Sequence, residues 1–307
     1  MGKYVIGIDV GGTNIKTGLV SSKAKVVDRS EFATKSFARD RKEMIRQIAD
    51  EIKRLMDKNG LLKKDVQGIG IGLPGLVDAP NGIVRFLPNI PGWRNVPLKK
   101  KLEKKLGIPV FLENDVNLIT LGEWCYGAGR GVQNMVCMTL GTGVGSGLIL
   151  DGRLYRGVGF AAGELGHMPL NEDGPACGCG GYGCLESYVG NKHLVALAQK
   201  MTRKKEVSLE AMYALAKQGD SVALKFWEET ATHIGNNLAG VVNLLNPERI
   251  VIGGGVSNNH EFLFKTIYAV IKKRAMPTQS AMVKITRAQL GNDAGIIGAQ
   301  VLVHGSK

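Results

Sequence analysis

Two stretches of the chain repeat one order of apolar residues, glycine and threonine, and this repeat constrains the fold most. Residues 4–20 read YVIGIDVGGTNIKTGLV, and residues 136–150 read VCMTLGTGVGSGLIL. At an offset of 129 residues, the Gly-Thr pair at 12–13 falls on the pair at 141–142. Each stretch predicts a strand, a glycine turn and a second strand, a pattern that is common when it occurs alone. Two copies, each opening about half of the chain, predict a duplicated α/β domain.

The two predicted turns have the composition of phosphate-binding loops. Such a turn exposes backbone N–H groups and hydroxyls that can cradle phosphate, and a nearby carboxylate can hold Mg²⁺ through water. Neither turn has the lysine of a Walker loop, and neither matches the Rossmann fingerprint. The candidate residues are Asp9, Gly11, Gly12, Thr13, Asn14 and Lys16 in the first turn and Gly141, Thr142 and Gly143 in the second.

A cluster of metal-ligand residue types lies between Phe160 and Tyr188. Its members are His167, Cys177, Cys179 and Cys184, in a chain with five cysteines. Thiolates and one imidazole at this spacing match a tetrahedral zinc site. The alternatives are a disulfide pair or buried thiols. We expect structural Zn²⁺, because three clustered cysteines leave one unpaired and nothing marks the chain for export.

Two acids, Glu164 and Glu186, bracket the cluster. A closed four-ligand site has no open position, so we expect the ion to hold a loop in place. Together with His167, the two acids could bind several hydroxyls of a polyol or sugar, since the imidazole can offer its second nitrogen to a ligand. Taken alone, either glutamate is better interpreted as an ordinary surface charge.

A predicted strand over 108–115 runs into Asn114 and Asp115. Carboxylates at the C-terminal ends of strands lie where open α/β sheets bind ligands. There Asp115 could take a proton from an alcohol that attacks phosphorus, and Asn114 could hold the same alcohol. Alternatively, Asp115 caps the predicted helix over 116–126. Its position alone favours neither interpretation.

Composition excludes several classes of function. The 307 residues suffice for two domains, and no apolar run reaches the length of a membrane span. A strand pattern begins at once, without a signal peptide, so we expect a cytoplasmic protein with no membrane partner. The net charge is +13, but the basic run at 99–107 has the spacing of a solvated amphipathic helix. No nucleic-acid-binding motif accompanies it, so we expect no nucleic acid partner.

Hydrophobic periodicity places the other elements. A strand over 249–257 ends in three glycines, where a flat base or ribose could lie against the backbone, or where the chain simply turns. Cys125 and Cys137 are expected to be buried small residues. The remaining predictions are helices over 40–58, 220–245 and 293–304 and a strand over 67–73 followed by Pro74-Gly75.

Together these residues resemble the ROK family of sugar kinases and sugar-responsive repressors, across essentially the whole chain. IDVGGTNIKTG resembles its first phosphate loop, LGTGVGSG its second and GGGVS its adenosine segment. GELGHMPL followed by CGCGGYGCLE is similar to its signature, and LENDVN is similar to its catalytic strand end. The repressors carry an N-terminal winged helix; because the phosphate loop here starts near residue 6, we expect the kinase branch.

The resemblance implies an actin-like, hexokinase-type (ribonuclease H-like) fold of two α/β domains with the active site in the cleft. We expect a smaller domain of residues 1–116 with the last helix, 293–307, and a larger domain of residues 117–292 with the zinc loop. Family members are usually dimers or larger, so a homodimer or higher homo-oligomer is expected.

The resemblance also implies a role for each candidate residue. Asp115 would be the general base, and the sugar would be bound by Gly75, Asn114, Asp115, Glu164, His167 and Glu186. Zn²⁺ would fall on His167, Cys177, Cys179 and Cys184. Mg²⁺ and the ATP phosphates would lie at Asp9, Gly12, Thr13, Gly141 and Thr142, and adenosine near Gly254 and Gly255.

The reaction implied is transfer of the ATP γ-phosphoryl group to the 6-hydroxyl of glucose. The segments LENDVN and NIPGWRNVPL resemble the glucokinase branch. Kinases for fructose, mannose, allose or N-acetylhexosamines share nearly the same motifs, because specificity depends on which hydroxyl or acetyl group fits the pocket. A sugar-sensing regulator without kinase activity is the non-enzyme alternative.

Overall fold

The computed structural model describes residues 3–11, 14–33, 40–88, 90, 92–257 and 261–305. In chain order its elements are β1 (Tyr4–Val10), β2 (Asn14–Ser21), β3 (Val26–Ala33), α1 (Arg41–Lys58), β4 (Val66–Leu73), β5 (Leu76–Asp78), β6 (Ile83–Phe86), β7 (Arg94–Val96), α2 (Leu98–Leu106), β8 (Val110–Asn114), α3 (Asp115–Tyr126), β9 (Met135–Leu140), β10 (Val144–Leu150), β11 (Arg153–Tyr155), α4 (Glu186–Val189), α5 (Asn191–Thr202), α6 (Leu209–Lys217), α7 (Ser221–Leu245), β12 (Arg249–Gly253), α8 (Glu261–Arg274), α9 (Pro277–Met282), β13 (Lys284–Arg287) and α10 (Ala294–Gly305).

The chain divides into two compact units, and neither is a single continuous segment. The first comprises Met1–Gly131, Leu154–Ala162 and Gln289–Lys307, and the second comprises Val132–Arg153 and Gly163–Ala288. The boundary predicted between residues 116 and 117 lies inside α3, which is one continuous helix of the first unit.

The first unit is built on a five-stranded sheet in the order β3-β2-β1-β4-β8. The strands β1, β2 and β3 are antiparallel neighbours, whereas β1, β4 and β8 run parallel. Every residue of β4 except Gln67 is buried, as expected for a central parallel strand covered on both faces. In the parallel register Asp9 pairs with Gly72, which pairs with Glu113. The C-terminal ends of these strands therefore meet at one edge of the sheet.

Helices cover this sheet as their apolar spacing predicts. Asp40 caps α1 by accepting hydrogen bonds from the backbone of Lys42 and Glu43, and the predicted face with Met44 and Ile48 is buried. In α2 the leucines 98, 102 and 106 are buried. The lysines of the basic run at positions 100, 101, 104 and 105 are exposed, which agrees with a solvated helix face. A second sheet in the same unit, β5-β6-β7, is antiparallel and lies beside β8.

The last helix, α10, packs on the sheet and on α3 at very short range. A Cβ at Gly298 would stand 1.8 Å from the Leu118 carbonyl oxygen, and one at Gly122 would stand 2.4 Å from the Ala294 carbonyl oxygen. A Cβ at Gly70 of β4 would meet Ala299 at 2.7 Å. Only glycine allows the backbones to approach this closely, so these glycines fix where α10 lies.

The second unit is built on a sheet in the order β11-β10-β9-β12-β13. Here β9 is antiparallel to β10 and parallel to β12, which is parallel to β13. The same pairing scheme of a hairpin beside two parallel strands occurs in the first sheet, which supports the duplication predicted from the repeat. The core is formed largely by α7, on which Phe226, Ile234 and Leu238 are buried.

No helix in the described part of the chain is long and apolar enough to cross a membrane.

Candidate functional site

The turn after β1 carries the first group of predicted phosphate-binding residues. Asp9 lies opposite Lys16 in the β1–β2 hairpin, and the Gly11 N–H donates to the Asn14 carbonyl oxygen at 2.9 Å. This bond closes the turn that the sequence predicted. Two further candidates, Gly12 and Thr13, lie outside the described residues.

The Asp9 carboxylate lies beside the first turn of α10. A Cβ at Gly295 would stand 3.3 Å from the Asp9 Cγ, so glycine leaves room there for the carboxylate. Burial raises the pKa of Asp9 above 3.8, and the Lys16 ammonium opposes this effect. A carboxylate held at a strand end beside a glycine turn has the chemistry that holds Mg²⁺ through water.

The residue that caps α3, at the end of β8, differs from the one that the sequence suggested as an alternative. Asn114, and not Asp115, caps α3, because its side-chain oxygen accepts from the Val116 and Asn117 N–H groups at 2.9 and 3.1 Å. The alternative in which Asp115 is the cap is therefore wrong. Asp115 is the first residue of the helix, where its carboxylate accepts from the Val116 N–H at 2.9 Å.

Asn114 also joins two of the predicted sugar-binding positions. Its Nδ2 donates to the Gly75 carbonyl oxygen at 3.2 Å. Gly75 has φ 112°, and a Cβ there would stand 2.5 Å from the Phe86 carbonyl oxygen. Both backbone conformation and close packing therefore require glycine at this position. The structure thus brings Gly75, Asn114 and Asp115 together at the sheet edge.

A buried ion pair lies directly behind this strand end. Glu113 accepts from the Arg156 guanidinium at 2.7 Å and from the Asn117 Nδ2 at 3.0 Å. Sequence reasoning did not identify Arg156, which lies 43 residues further along in a segment of irregular structure. A charged residue that the fold places beside a buried carboxylate leaves no local signal in one sequence.

In the second unit, Glu186 is bound to the second predicted phosphate turn. The Val144 N–H donates to its Oε2 at 2.9 Å. The turn is closed by the Gly141 N–H, which donates to the Gly143 carbonyl oxygen at 3.0 Å. The Asn191 N–H, at the start of α5, donates to the Gly141 carbonyl oxygen at 2.9 Å. Glu186, a predicted sugar-binding residue, is therefore bonded to the residue that directly follows the predicted phosphate turn.

The segment that carries Glu164 is held by two polar side chains that sequence reasoning did not single out. The Ser146 hydroxyl on β10 donates to the Gly163 carbonyl oxygen and accepts from the Leu165 N–H. On the other side, the buried Asn237 of α7 donates its Nδ2 to the Leu165 carbonyl oxygen at 3.2 Å. These bonds fix the backbone on both sides of Glu164, whose side chain is exposed by about two thirds.

The four predicted zinc ligands form one cluster. Their ligand atoms all lie within 4.8 Å of one another. The Cys179 and Cys184 sulfurs are 3.7 Å apart, and the Cys177 sulfur is 3.6 Å from the His167 Nδ1. Four ligands around Zn²⁺ at Zn–S distances of about 2.3 Å would have edges of about 3.8 Å. The donor set and its spacing therefore fit a tetrahedral zinc ion.

The ring of His167 points its two nitrogens in different directions. Nδ1 faces the thiols, whereas Nε2 lies 3.9 Å from the Glu164 carboxylate. A zinc ion on Nδ1 would leave Nε2 as an N–H donor toward a ligand beside Glu164. The imidazole can thus serve metal and ligand at once, as the sequence predicted.

The thiols of the cluster influence one another's ionisation. Burial raises the pKa of Cys177, but hydrogen bonds from Cys179 and His167 outweigh it and bring that pKa to about 7. Burial, and then the neighbouring Cys179 and Cys177 thiols, raise the pKa of Cys184 to about 12. Three sulfurs so close together can all ionise only with a cation between them, which a divalent metal ion would supply.

A cavity of about 800 Å³ opens beside the third glycine segment. It is lined by Gly255 and Val256 and by residues of α5 and α6, among them Lys192, Gln199 and Tyr213. Gly254 has φ 88°, and a Cβ there would stand 2.2 Å from the Leu140 carbonyl oxygen. A Cβ at Gly255 would meet none of the described atoms within 4 Å, so a ligand can approach its backbone. The cavity has room for a nucleoside.

Comparison with known proteins gives matches over nearly the whole chain. The ROK family model matches residues 5–306. A glucokinase of Halalkalibacterium halodurans is 37% identical, over 98% of this chain and 95% of its own. A structure of a ROK family glucokinase from Streptomyces griseus in complex with glucose and AMPPNP is 33% identical, with a TM-score of 0.82 over 98% of this chain and 99% of its own. A xylose repressor of Caldicellulosiruptor bescii is 30% identical, over 97% of this chain and 77% of its own.

Proposed function

The chain belongs to the ROK family and has its actin-like fold, and we propose from this that it is an ATP-dependent glucokinase. The reaction is transfer of the γ-phosphoryl group of MgATP to the 6-hydroxyl of glucose. The observation that carries the proposal is the similarity, over 98% of the chain, to a glucokinase structure that contains glucose and AMPPNP.

In this proposal the first unit supplies the general base. Asp115 takes the proton of the sugar 6-hydroxyl as that oxygen attacks phosphorus. Asn114 uses its side-chain oxygen to cap α3 and one amide N–H to bond the Gly75 carbonyl, so it contacts the sugar through its second amide N–H. Gly75 lines the same site. Because the phosphoryl transition state is loose, the rate depends mainly on positioning and charge neutralisation.

The second unit supplies the hydrogen-bonding groups for the other sugar hydroxyls, namely Glu164, His167 and Glu186. His167 binds through Nε2, while Nδ1 and the thiols of Cys177, Cys179 and Cys184 hold Zn²⁺. The zinc supplies rigidity to this loop and takes no part in the chemistry, since its four ligands leave no open position.

The glycine turns and the cavity bind MgATP. Phosphates contact the first turn, at Gly11, Gly12, Thr13, Asn14 and Lys16, and the second, at Gly141, Thr142 and Gly143. Asp9 holds the magnesium ion of the nucleotide through water. The adenosine occupies the cavity beside Gly254 and Gly255, which offers the volume that a nucleoside needs.

The test is ADP release from MgATP with glucose, mannose, fructose, allose, N-acetylglucosamine and N-acetylmannosamine in turn. A kcat/KM for glucose at least about tenfold above every other sugar is expected, since one well-placed polar contact gives that discrimination. Preference for another sugar would keep the kinase assignment and reject glucose. Absence of turnover with every sugar, in protein with zinc bound, would reject the kinase.

The second candidate is a sugar-sensing regulator, which the similarity to a xylose repressor supports. Such a protein would bind sugar without turning over ATP. The same panel separates the two, because calorimetry would detect sugar binding where no ADP is released.

We also propose that the protein is a homodimer or a larger homo-oligomer. Leu244 near the end of α7 is 78% exposed, and Met276 and Met282 at α9 are 59% and 66% exposed. The Met276 N–H donates to the Asn243 side chain, so the end of α7 and the start of α9 adjoin. Neighbouring exposed apolar side chains are typical of a surface that another subunit covers.

A further inference from the structure

The Glu186 carboxylate makes a hydrogen bond within the protein in addition to any bond that it would make to a sugar. Its Oε2 accepts the Val144 N–H at the point where the second glycine turn enters β10. Glu186 is the first residue of α4, a one-turn helix. It lies two positions after Cys184, the last of the predicted zinc ligands. The zinc loop is thus joined through one side chain to the turn.

Gly143 and Gly141, in the same turn, differ in what surrounds them. A Cβ at Gly143 would stand 2.4 Å from the Glu186 Oε2, so the carboxylate rests directly on this glycine. A Cβ at Gly141 would meet none of the described atoms within 4 Å. One side of the turn is therefore filled by Glu186, whereas the other is open to a ligand.

We propose that Glu186 is a positioning residue for the phosphate turn, so that sugar at its carboxylate and phosphates at the turn strengthen each other's binding. The positioning role depends only on the contacts within the second unit. The sugar-dependent part rests on the proposed function.

The binding of sugar and the binding of phosphate are coupled because both involve the Glu186 carboxylate. Oε2 holds the Val144 N–H, and thereby the backbone between Gly141 and Val144 that would bind phosphate. A sugar hydroxyl that donates to Oε1 fixes the plane of the carboxylate and with it Oε2. Any gain in nucleotide affinity from bound sugar must be matched by an equal gain in sugar affinity from bound nucleotide. The carboxylate would thereby order the turn most strongly when the acceptor sugar is present.

The first experiment measures the affinity for Mg-AMPPNP without sugar, by calorimetry. Glu186→Ala removes the acceptor of the Val144 N–H, and we expect affinity about tenfold weaker, the scale of one hydrogen bond to a charged group. Glu186→Gln keeps an oxygen acceptor of the same length, so its affinity is expected to stay within threefold of the native value. The melting temperature of Glu186→Ala, measured alongside, separates positioning of the turn from a role in general stability.

The second experiment repeats the titration with saturating glucose. We expect glucose to tighten nucleotide binding at least about fivefold in the native protein, the lower end of usual couplings. Gly143→Ala forces the flexible carboxylate to move, so the coupling is expected to fall to less than twofold. Gly141→Ala is the matched control: it places a methyl on the open side, weakens nucleotide binding and keeps the native coupling.

The outcomes separate the two proposals. Native nucleotide affinity in Glu186→Ala, or native coupling in Gly143→Ala, would overturn the role of Glu186. If Glu186→Ala weakens nucleotide binding but the native protein neither binds nor phosphorylates any sugar, the positioning role holds and the proposed sugar kinase is rejected.

Discussion

Glu113 and Arg156 form an ion pair of 2.7 Å between residues that are 43 positions apart in the first unit. The Glu113 side chain is 2% exposed, and it accepts from the Asn114 backbone and from the Asn117 side chain. Since Asn114 and Asp115 follow Glu113 directly, the pair fixes the strand end that carries the proposed base.

Replacing Arg156 by Met should leave a buried carboxylate without its cation. We expect a loss of about 2 kcal/mol in the free energy of unfolding, less than for a fully buried pair because Arg156 is 31% exposed. The kcat with glucose should fall about tenfold, since Asp115 is then less well held. Denaturant titration and steady-state kinetics measure the two effects.

The exposed pair of Arg46 and Glu43 on α1 provides the control, because it is solvated and close in sequence. Arg46→Met should leave the free energy of unfolding nearly unchanged, because water solvates both charges of the exposed pair. The double variant Glu113→Gln with Arg156→Met should regain part of the lost stability, as it leaves no unpaired charge. Equal losses in Arg156→Met and Arg46→Met would contradict the importance of the buried pair.

Asp115→Asn should lower kcat by about a hundredfold or more while sugar affinity is largely kept, because the base is lost and the hydrogen-bonding shape is not. The melting temperature should stay near the native value, since Asn114 is the residue that caps α3. Turnover close to native would mean that another group accepts the proton.

Asn114→Ala, unlike Asp115→Asn, should lower the stability of the protein. It removes the cap of α3, and we expect about 1 kcal/mol lower stability together with weaker sugar binding. Thermal unfolding compared between the two variants distinguishes a cap from a base. An unchanged melting temperature in Asn114→Ala would contradict the capping role.

Removal of the metal should weaken glucose binding at least tenfold, because the loop that presents Glu164, His167 and Glu186 loses its rigidity. Metal content by mass spectrometry and glucose affinity by calorimetry test this. Cys177→Ser should bind less than one zinc per chain, whereas Cys125→Ser, outside the cluster, should keep the native content. Native glucose affinity in a verified zinc-free preparation would reject the structural role of the metal.

Asp9→Asn should raise the melting temperature at pH 7 while it impairs the use of MgATP. Burial raises the pKa of Asp9 above 3.8, so the folded protein binds this proton more tightly than the unfolded chain. The resulting stabilisation is complete below pH 3.8 and is lost as the pH rises through the raised folded value. Burial thus disfavours the carboxylate form of Asp9 in the folded protein, and a neutral asparagine avoids this cost.

Lys16→Met should have the opposite effect on the melting temperature. It removes the cation that counteracts the raised pKa of Asp9, so it should lower the melting temperature at pH 7. Kinetics with varied MgATP should show a kcat/KM about a hundredfold lower for Asp9→Asn, if the carboxylate holds the magnesium ion. A lower melting temperature at pH 7 in Asp9→Asn would contradict the inference that burial disfavours the charged form of Asp9.

Leu244→Glu should convert the oligomer to monomers without unfolding it, since the side chain is exposed in the single chain. Sedimentation velocity measures the change. Val27→Glu, also exposed but on β3 of the other unit, is the control and should leave the oligomer intact. A native protein that sediments as a monomer would reject the proposed assembly.

Local patterns in the sequence account for much of this structure. The repeat predicted β1 with β2 and β9 with β10, and the leucine spacing predicted α2. The spacing of cysteine and histidine predicted a cluster that the fold assembles, although His167 and Cys184 are 17 positions apart. These features were predictable because short-range periodicity and ligand chemistry determine them.

Long-range relationships were not predictable in the same way. The bond between Glu113 and Arg156 and the support of Leu165 by Asn237 join residues 43 and 72 positions apart. The choice of Asn114 over Asp115 as the cap depends on one backbone position, which periodicity does not resolve. The first unit also includes residues 154–162, an assignment that depends on tertiary contacts alone.

The close packing of α10 on glycines of the sheet and of α3 has a consequence for synthesis of the chain. The faces of β1 and β4 that α10 covers stay open until residues near 299 have left the ribosome, because Gly7 and Gly70 on these strands pack against Ile296 and Ala299 of α10. All strands of the second sheet, through Arg287, emerge before α10 does. The first unit can therefore complete its core only after every strand of the second sheet has emerged.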